Sequence, residues 1–310
     1  MWPAPCFARN VDWMSIDSTL SALAAEGQVD SQGRFTLDPR LASRKLAQFN
    51  SLDPFHYSLH LVAAAVSAGA KEIRAFKQQG RSKFVFDAPP AHFETLKLVW
   101  NAHLISPAPS RWVLELSSAF HLLSRLRPNY IRLSAPGGQL QWTWRYLTLE
   151  PNDSSRTRWC LEVEFSGLGR RLKDWLRVAS QERFLWEQRC LFCPIPFQVE
   201  GEAVTRPWQH RRIAGFLQRP VPNILPPLPE RPARSWGWGA VVSQHQPSLD
   251  HNLEVVLNGV SFTQMVAGLS LQYLVFSDSL QTDLSQQKLV ENELYQAMLE
   301  DLRAMKLPLL

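Results

Sequence analysis

No apolar run in this chain of 310 residues approaches the roughly 20 residues that a membrane-spanning helix needs. Neither sign of charge dominates. Lysine and arginine number 33 against 28 acidic residues, and the net charge of +5 allows contact with an acidic partner without announcing nucleic acid. Four cysteines are too few for a disulfide framework in a chain of this length. That usage fits a reducing compartment, so a cytoplasmic protein is expected. The first residues, MWPAPCFARNVDWMSIDS, lack a basic region followed by an apolar core, and no signal peptide is expected there. From Arg81 to Asn129 there is no glycine at all, which removes the residue a phosphate-gripping lid uses to hinge and to bring its amides close. No P-loop, HExxH or Ser-His-Asp order is present.

What remains is an ordinary globular composition, 45% hydrophobic and 20% charged, long enough for two domains. Twelve tryptophans are scattered singly along it. The stretch around which the rest is organised runs from Leu59 to Pro90. Leu59, Val62, Val66 and Ala70 recur at helical spacing, with small residues between them and Gly69 where a helix end wants a glycine. Ile73 and Ala75, then Phe84, Val85 and Phe86, are strand material on either side of a Gln79-Gly80 turn. Asp53-Pro54 launches the helix with a capping acid and a first-turn proline, and Asp38-Pro39 launches an earlier one that runs to about Phe49.

Helix, strand, turn and a strand closing on Asp87 resemble the nucleotide-binding core of the GHKL superfamily: gyrase B, the ninety-kilodalton heat-shock chaperones, histidine kinases and MutL. Ser67-Ala68-Gly69-Ala70 is similar to that family's helix end, and Asp87 to the acid of its second motif. The resemblance implies an α/β fold, a two-layer sandwich of one mixed sheet with helices on one face. A smaller α/β domain like the second domain of ribosomal protein S-five then follows. It also implies an erased active site. The family's water-activating Glu falls on His60, its magnesium-holding Asn on Ala64, and its two glycines on Pro89 and Ala91. The cation that reaches the γ-phosphate falls on Gln286. Asp87 keeps the place from which the family accepts the adenine amino group.

After Asp87 the pattern predicts helices over Ala91–His103 and Arg111–Leu126. Strands are expected at Tyr130–Ser134 and Gln139–Trp144, the second extended by Leu147 and Leu149, and again at Thr157–Phe165. A long helix over Gly167–Gln188 and a strand over Pro194–Val199 follow. Seven prolines between Arg206 and Ser235 make a stiff connector. Beyond it come strands around Trp236–Ser243, Leu253–Ala267 with Asn258-Gly259 as a turn or a bulge, and Leu271–Phe276, then a helix over Ser285–Lys306. The expected domains are therefore an extension over 1–33, a GHKL-like domain over 34–205, a connector over 206–235 and a small α/β domain over 236–310. Within the last, Asp278 to Gln286 and the helix after them resemble the chaperone segment that carries the γ-phosphate-sensing cation.

Several groups have two readings. His60 is a general base or ligand, with His56 one turn before it, or a hydrogen-bonded structural histidine. Asp87 binds adenine, or it caps the next helix. Cys190 and Cys193 form a CxxC, but no second pair completes a zinc site and they follow a helix C-terminus, so helix-to-strand packing is the favoured role. Arg170, Arg171, Lys173 and Arg177, with His210, Arg211 and Arg212, touch phosphates or form solvated faces. The function expected is a non-catalytic, chaperone-like or scaffold pseudo-ATPase with a protein partner. No metal, no cofactor and no membrane are expected, with ATP held only through Asp87. A weak ATP hydrolase and a nucleic-acid-associated module are the competing classes.

Overall fold

A computed structural model describes residues 53–78, 80–87, 93–104, 109–143, 146–152, 158–165, 170–205, 238–243, 252–269, 272–277, 279–283 and 288–304. The expected helix from Asp38-Pro39 to about Phe49, the proline-rich connector and Pro89, Ala91 and Gln286 lie outside them. All the described residues fall within one compact unit, 39–310.

Asp53 caps the first described turn, in the role that the sequence predicts. Its carboxylate accepts from the Phe55 amide at 2.9 Å, Pro54 opens a 3-10 turn through His56, and helix α1 (Tyr57–Ser67) follows. Residues Tyr57 to Ala65 are all buried, so α1 has no solvent face and shows none of the patterning of a surface helix. Gly69, at φ +75°, takes the left-handed turn out of it. Strands β1 (Ile73–Gln78) and β2 (Arg81–Phe86) then pair antiparallel across Gly80.

The next layer is helical. Helix α2 (Phe93–Asn101) runs into a 3-10 turn at Ala102–Leu104, and helix α3 (Arg111–Arg125) lies against α1. Strands β3 (Tyr130–Ala135), β4 (Gly137–Trp142), β5 (Leu147–Asn152) and β6 (Trp159–Glu164) return the chain to the sheet. Helix α4 (Arg170–Arg189) crosses it, and β7 (Phe197–Val199) and β8 (Glu202–Ala203) close it. The eight strands run in the order β5-β4-β3-β6-β2-β1-β7-β8, with β1 and β7 parallel and the other neighbours antiparallel.

Alternation assigns the faces. Ser82, Phe84 and Phe86 of β2 are buried toward the helices, where Phe84 lies 6.3 Å from the Trp186 ring of α4 and Phe86 stacks on Trp159 at 6.1 Å. Lys83 points to the other face, in a row with Glu162 and Arg132 whose contacts of 3.6 and 3.7 Å give opposite charges on adjacent strands. The molecule is thus mixed α/β, with its helices over one face of the large sheet. Leu147 and Leu149 do not prolong β4, as the sequence pattern suggests. The chain reverses between Thr143 and Tyr146, whose backbone groups bond at 2.9 Å, and the two leucines sit on a separate antiparallel strand.

A second sheet has the order β11-β10-β12-β9, formed by β9 (Trp238–Ser243), β10 (Leu253–Leu257), β11 (Val260–Gln264) and β12 (Gln272–Ser277). Asn258 (φ +48°) and Gly259 (φ +83°) make the β10–β11 turn that an Asn-Gly pair favours. Helix α5 (Glu293–Ala304) buries Met298, Leu299 and Leu302. It starts later than Ser285, because Leu289 is drawn into a bridge with Thr282 and Asn292 supplies the cap, accepting from the Tyr295 amide at 3.1 Å.

Candidate functional site

Helix α1 carries the positions to which the resemblance assigns chemistry. His60 lies one turn before Ala64, and both are buried, with relative exposures of 1% and 0%. Ser67 ends the helix, half-buried. Ala63, Ala64 and Ala65 present only methyl groups, so α3 packs close against the helix. That approach brings in Glu115, the acidic residue of α3, itself buried. His60 Nδ1 and Glu115 Oε2 are 2.8 Å apart, so the imidazole is oriented by a carboxylate 55 residues away. Its Nε2 is buried with no hydrogen-bond partner among the described residues.

The polar chain continues past Glu115. Arg111 Nε is 3.6 Å from Glu115 Oε1, one helical turn earlier on α3. With the Asn258 amide oxygen turned to the guanidinium, it accepts from Arg111 Nη2 at 2.8 Å and from Nε at 2.9 Å. The β10–β11 turn is thereby tied to α3, and it also abuts α1. A Cβ on Gly259 would stand 2.9 Å from Val66 Cγ2 and from Cys193 Sγ, and 3.2 Å from Val62 Cγ1. Arg189 of α4 adds a bond to the Ser261 carbonyl.

Two more histidines lie where α2 and its 3-10 turn meet α3. His121 Nε2 donates to the Trp100 carbonyl of α2 at 3.1 Å, and its ring lies 5.0 Å from the Trp100 indole. His103, in the 3-10 turn after α2, meets Ser118 Oγ at 2.9 Å. Burial pulls the His121 imidazole down to about 4, aided by the neighbouring His103. Burial also lowers His103, with His60 adding to the effect and Glu115 opposing it. Nothing in the spacing of His60, His103, Glu115 and His121 announces this cluster. The signal that could have found it is Glu115 itself, a lone acid on an apolar helix, which must find a cationic or donor partner once buried.

Asp87 follows β2, far from that cluster in chemistry. Its Oδ1 accepts from the backbone amides of Lys71 at 2.8 Å and Glu72 at 3.2 Å, holding the link between α1 and β1. Partial burial pushes its carboxyl up, but these amide bonds outweigh that and hold it below the usual range. These bonds run back to a segment that precedes Asp87, where the sequence reading considered a cap on the helix that follows. Of the sequence-predicted site residues, His60, Ala64 and Ser67 share α1, Asp87 sits beyond its C-terminal end, and Pro89, Ala91 and Gln286 are outside the described residues.

Other candidates resolve into structural roles. Cys190 and Cys193 are fully enclosed free thiols, both pushed up by burial, Cys193 to about 12, which makes thiolate chemistry unfavourable. Arg177 lies over the Phe55 ring at 5.5 Å. The side chains of Arg170, Arg171 and Lys173, and all of His210, Arg211 and Arg212, fall outside the described residues. Lys77 of β1 is 3.3 Å from Glu182 of α4 and 5.2 Å from the Trp186 ring centroid. Burial draws the Lys77 ammonium down to about 8 and pushes the Glu182 carboxyl well up. Ser82 Oγ also donates to Glu182, at 3.2 Å, beside a void of about 10 Å³ that Tyr57 helps to line, room for a single water. Among the described residues no group of three or more His, Cys, Asp or Glu side chains is placed to hold a metal, and no helix is long and apolar enough to cross a membrane.

No family model matches the chain. No curated protein matches it either. Among solved structures, the chain is similar to the ATPase region of topoisomerase II from Saccharomyces cerevisiae, with a TM-score of 0.43 and 9% identity over 81% of this chain and 86% of that one. A likeness of this size transfers the role of no residue.

Proposed function

We propose that this chain is a non-catalytic, chaperone-like or scaffold protein, a pseudo-ATPase on a degenerate GHKL-type fold that acts through protein–protein contacts. The observation that carries the reading is the state of His60. In the family that the sequence resembles, its position holds the carboxylate that activates water. Here it holds a buried imidazole whose Nδ1 is committed to Glu115. A general base must reach the proton it removes, and a ring 1% exposed between two packed helices offers water no route.

Two further features support it. Ala64 gives a methyl where the resemblance expects a metal-holding amide, and a methyl has no lone pair to offer. Asp87 retains the adenine position, but one carboxylate oxygen is already shared by two backbone amides. On this reading the partner is a protein, ATP is not required, and the contact of the β10–β11 turn with α1 and α3 makes the two sheets one platform.

The test is steady-state phosphate release with ATP and magnesium, on the wild type and on Asp87→Asn. The reading expects no turnover above background in either. Magnesium-dependent hydrolysis that disappears in Asp87→Asn would replace it with the ATP hydrolase reading.

A further inference from the structure

We propose that His60, His103 and His121 form an acid-sensitive latch that holds α2 and its 3-10 turn onto α3. The side-chain hydrogen bonds between these segments run through an imidazole: His121 to the Trp100 carbonyl at 3.1 Å, and His103 to Ser118 Oγ at 2.9 Å and to the Leu114 backbone. The two rings are 6.4 Å apart, and His60 on α1 lies close enough to influence the charge of His103. Two buried imidazoles, His60 and His121, and the half-buried His103 thus lie in one region.

The elements packed here carry few carboxylates. Their ionisable groups are Arg111, Glu115 and Arg125 on α3, the exposed Lys97 on α2, and His56 beside His60 at the start of α1. The strands beneath contribute the apolar Ile131, Leu133 and Leu140. Glu115 is the one carboxylate seen in contact with the cluster among the described residues, and it already serves His60 at 2.8 Å and Arg111 at 3.6 Å. A proton added to His121 therefore creates a buried cation, and one added to His103 a half-buried cation beside it, with Glu115 already engaged. It also converts a ring nitrogen from acceptor to donor. The site has two ways to relieve this: refuse the proton, or open. The low proton affinity of His121 and His103 reports the first, and opening exposes Leu96, Val99 and Ala102, which are now buried against α3.

Hydrogen exchange read by mass spectrometry at pH 7.5 and pH 4.5, corrected for intrinsic exchange rates, tests the latch. It is applied to the wild-type chain and to His103→Gln/His121→Gln, which keeps a donor at each position without a titratable ring. In the wild type, protection over residues 93–104 should fall at least about tenfold between the two pH values while β2 and β6 keep theirs. In the double variant the same segment should hold its protection. Unchanged wild-type protection at pH 4.5, or an equal loss in both proteins, would overturn the latch. Should the variant fail to fold, imidazole proton resonances of the wild type decide: His121 titrating near its ordinary 6.5 without opening rules the latch out, and a ring neutral until the segment opens supports it.

Discussion

His60 on α1 and Glu115 on α3 meet at 2.8 Å in the interior, a buried histidine held by a buried carboxylate. The pair ties together two helices that otherwise touch through small and apolar side chains, and through Arg111 it extends to the turn of the second sheet.

Removing the carboxylate should therefore be costly. Glu115→Ala leaves His60 with two unpartnered ring nitrogens and Arg111 without its neighbour. The expected loss is about 3 kcal/mol, near the lower end for breaking a buried polar pair. Glu115→Gln keeps an acceptor in place and should lose less than half as much. Urea unfolding with the midpoint and slope fitted separately checks both values. Equal effects of the two substitutions would show that the charge of the carboxylate matters at this site, and neither its volume nor a neutral acceptor.

Acid should weaken the fold through His121. Its affinity for protons is lower in the folded state, at about 4, than in the unfolded chain, at about 6.5. Between those values the unfolded chain binds more protons. The contribution is therefore fully present above pH 6.5 and lost as pH falls toward 4, by about 3 kcal/mol in all. His121→Gln should be less stable than wild type at neutral pH and should lose less on acidification. The measurement is the difference between the two urea midpoints at pH 7.5, 6 and 4.5, because carboxylates common to both proteins cancel in it.

Much of this architecture is legible in the sequence, because local chemistry specifies it. Asp53-Pro54 marks the entry to α1, Asn258-Gly259 marks a hairpin, and alternation marks β2, β4 and β6. Two misplacements have physical causes. Thr143 and Tyr146 build a reversal without glycine or an Asn-Gly pair, so β5 reads as more of β4. Leu289 fits a helical period as well as it fits the bridge it makes with Thr282, which hides the true start of α5 at Glu293, after the Asn292 cap. The candidate site is legible in part. Its positions on α1 are those the resemblance implies, whereas the His60 partner and the histidines of the next layer depend on how α3 docks, which no local pattern encodes.

Gly259 and Gly201 make a controlled comparison for the junction between the sheets. Both have positive φ, +83° and +87°, so alanine pays a similar backbone penalty of about 1 kcal/mol at each. Only at Gly259 does the added methyl meet neighbours, at 2.9 Å from Val66 and Cys193, while at Gly201 nothing lies within 4 Å. Gly259→Ala should lose a further 1–3 kcal/mol or so by overpacking. Thermal unfolding of both variants measures the difference, and matching midpoints would mean that the turn does not bear on α1.

The claim at the centre of this account is that the nucleotide chemistry of the resembled family has been lost around α1. Isothermal titration calorimetry of the whole chain with ATP and magnesium tests it most directly. The account predicts no saturable heat at millimolar nucleotide, and the same flat trace for Asp87→Asn. Saturable binding to the wild type that vanishes in Asp87→Asn would contradict it, and would show that the carboxylate still recognises adenine while holding the Lys71 and Glu72 amides.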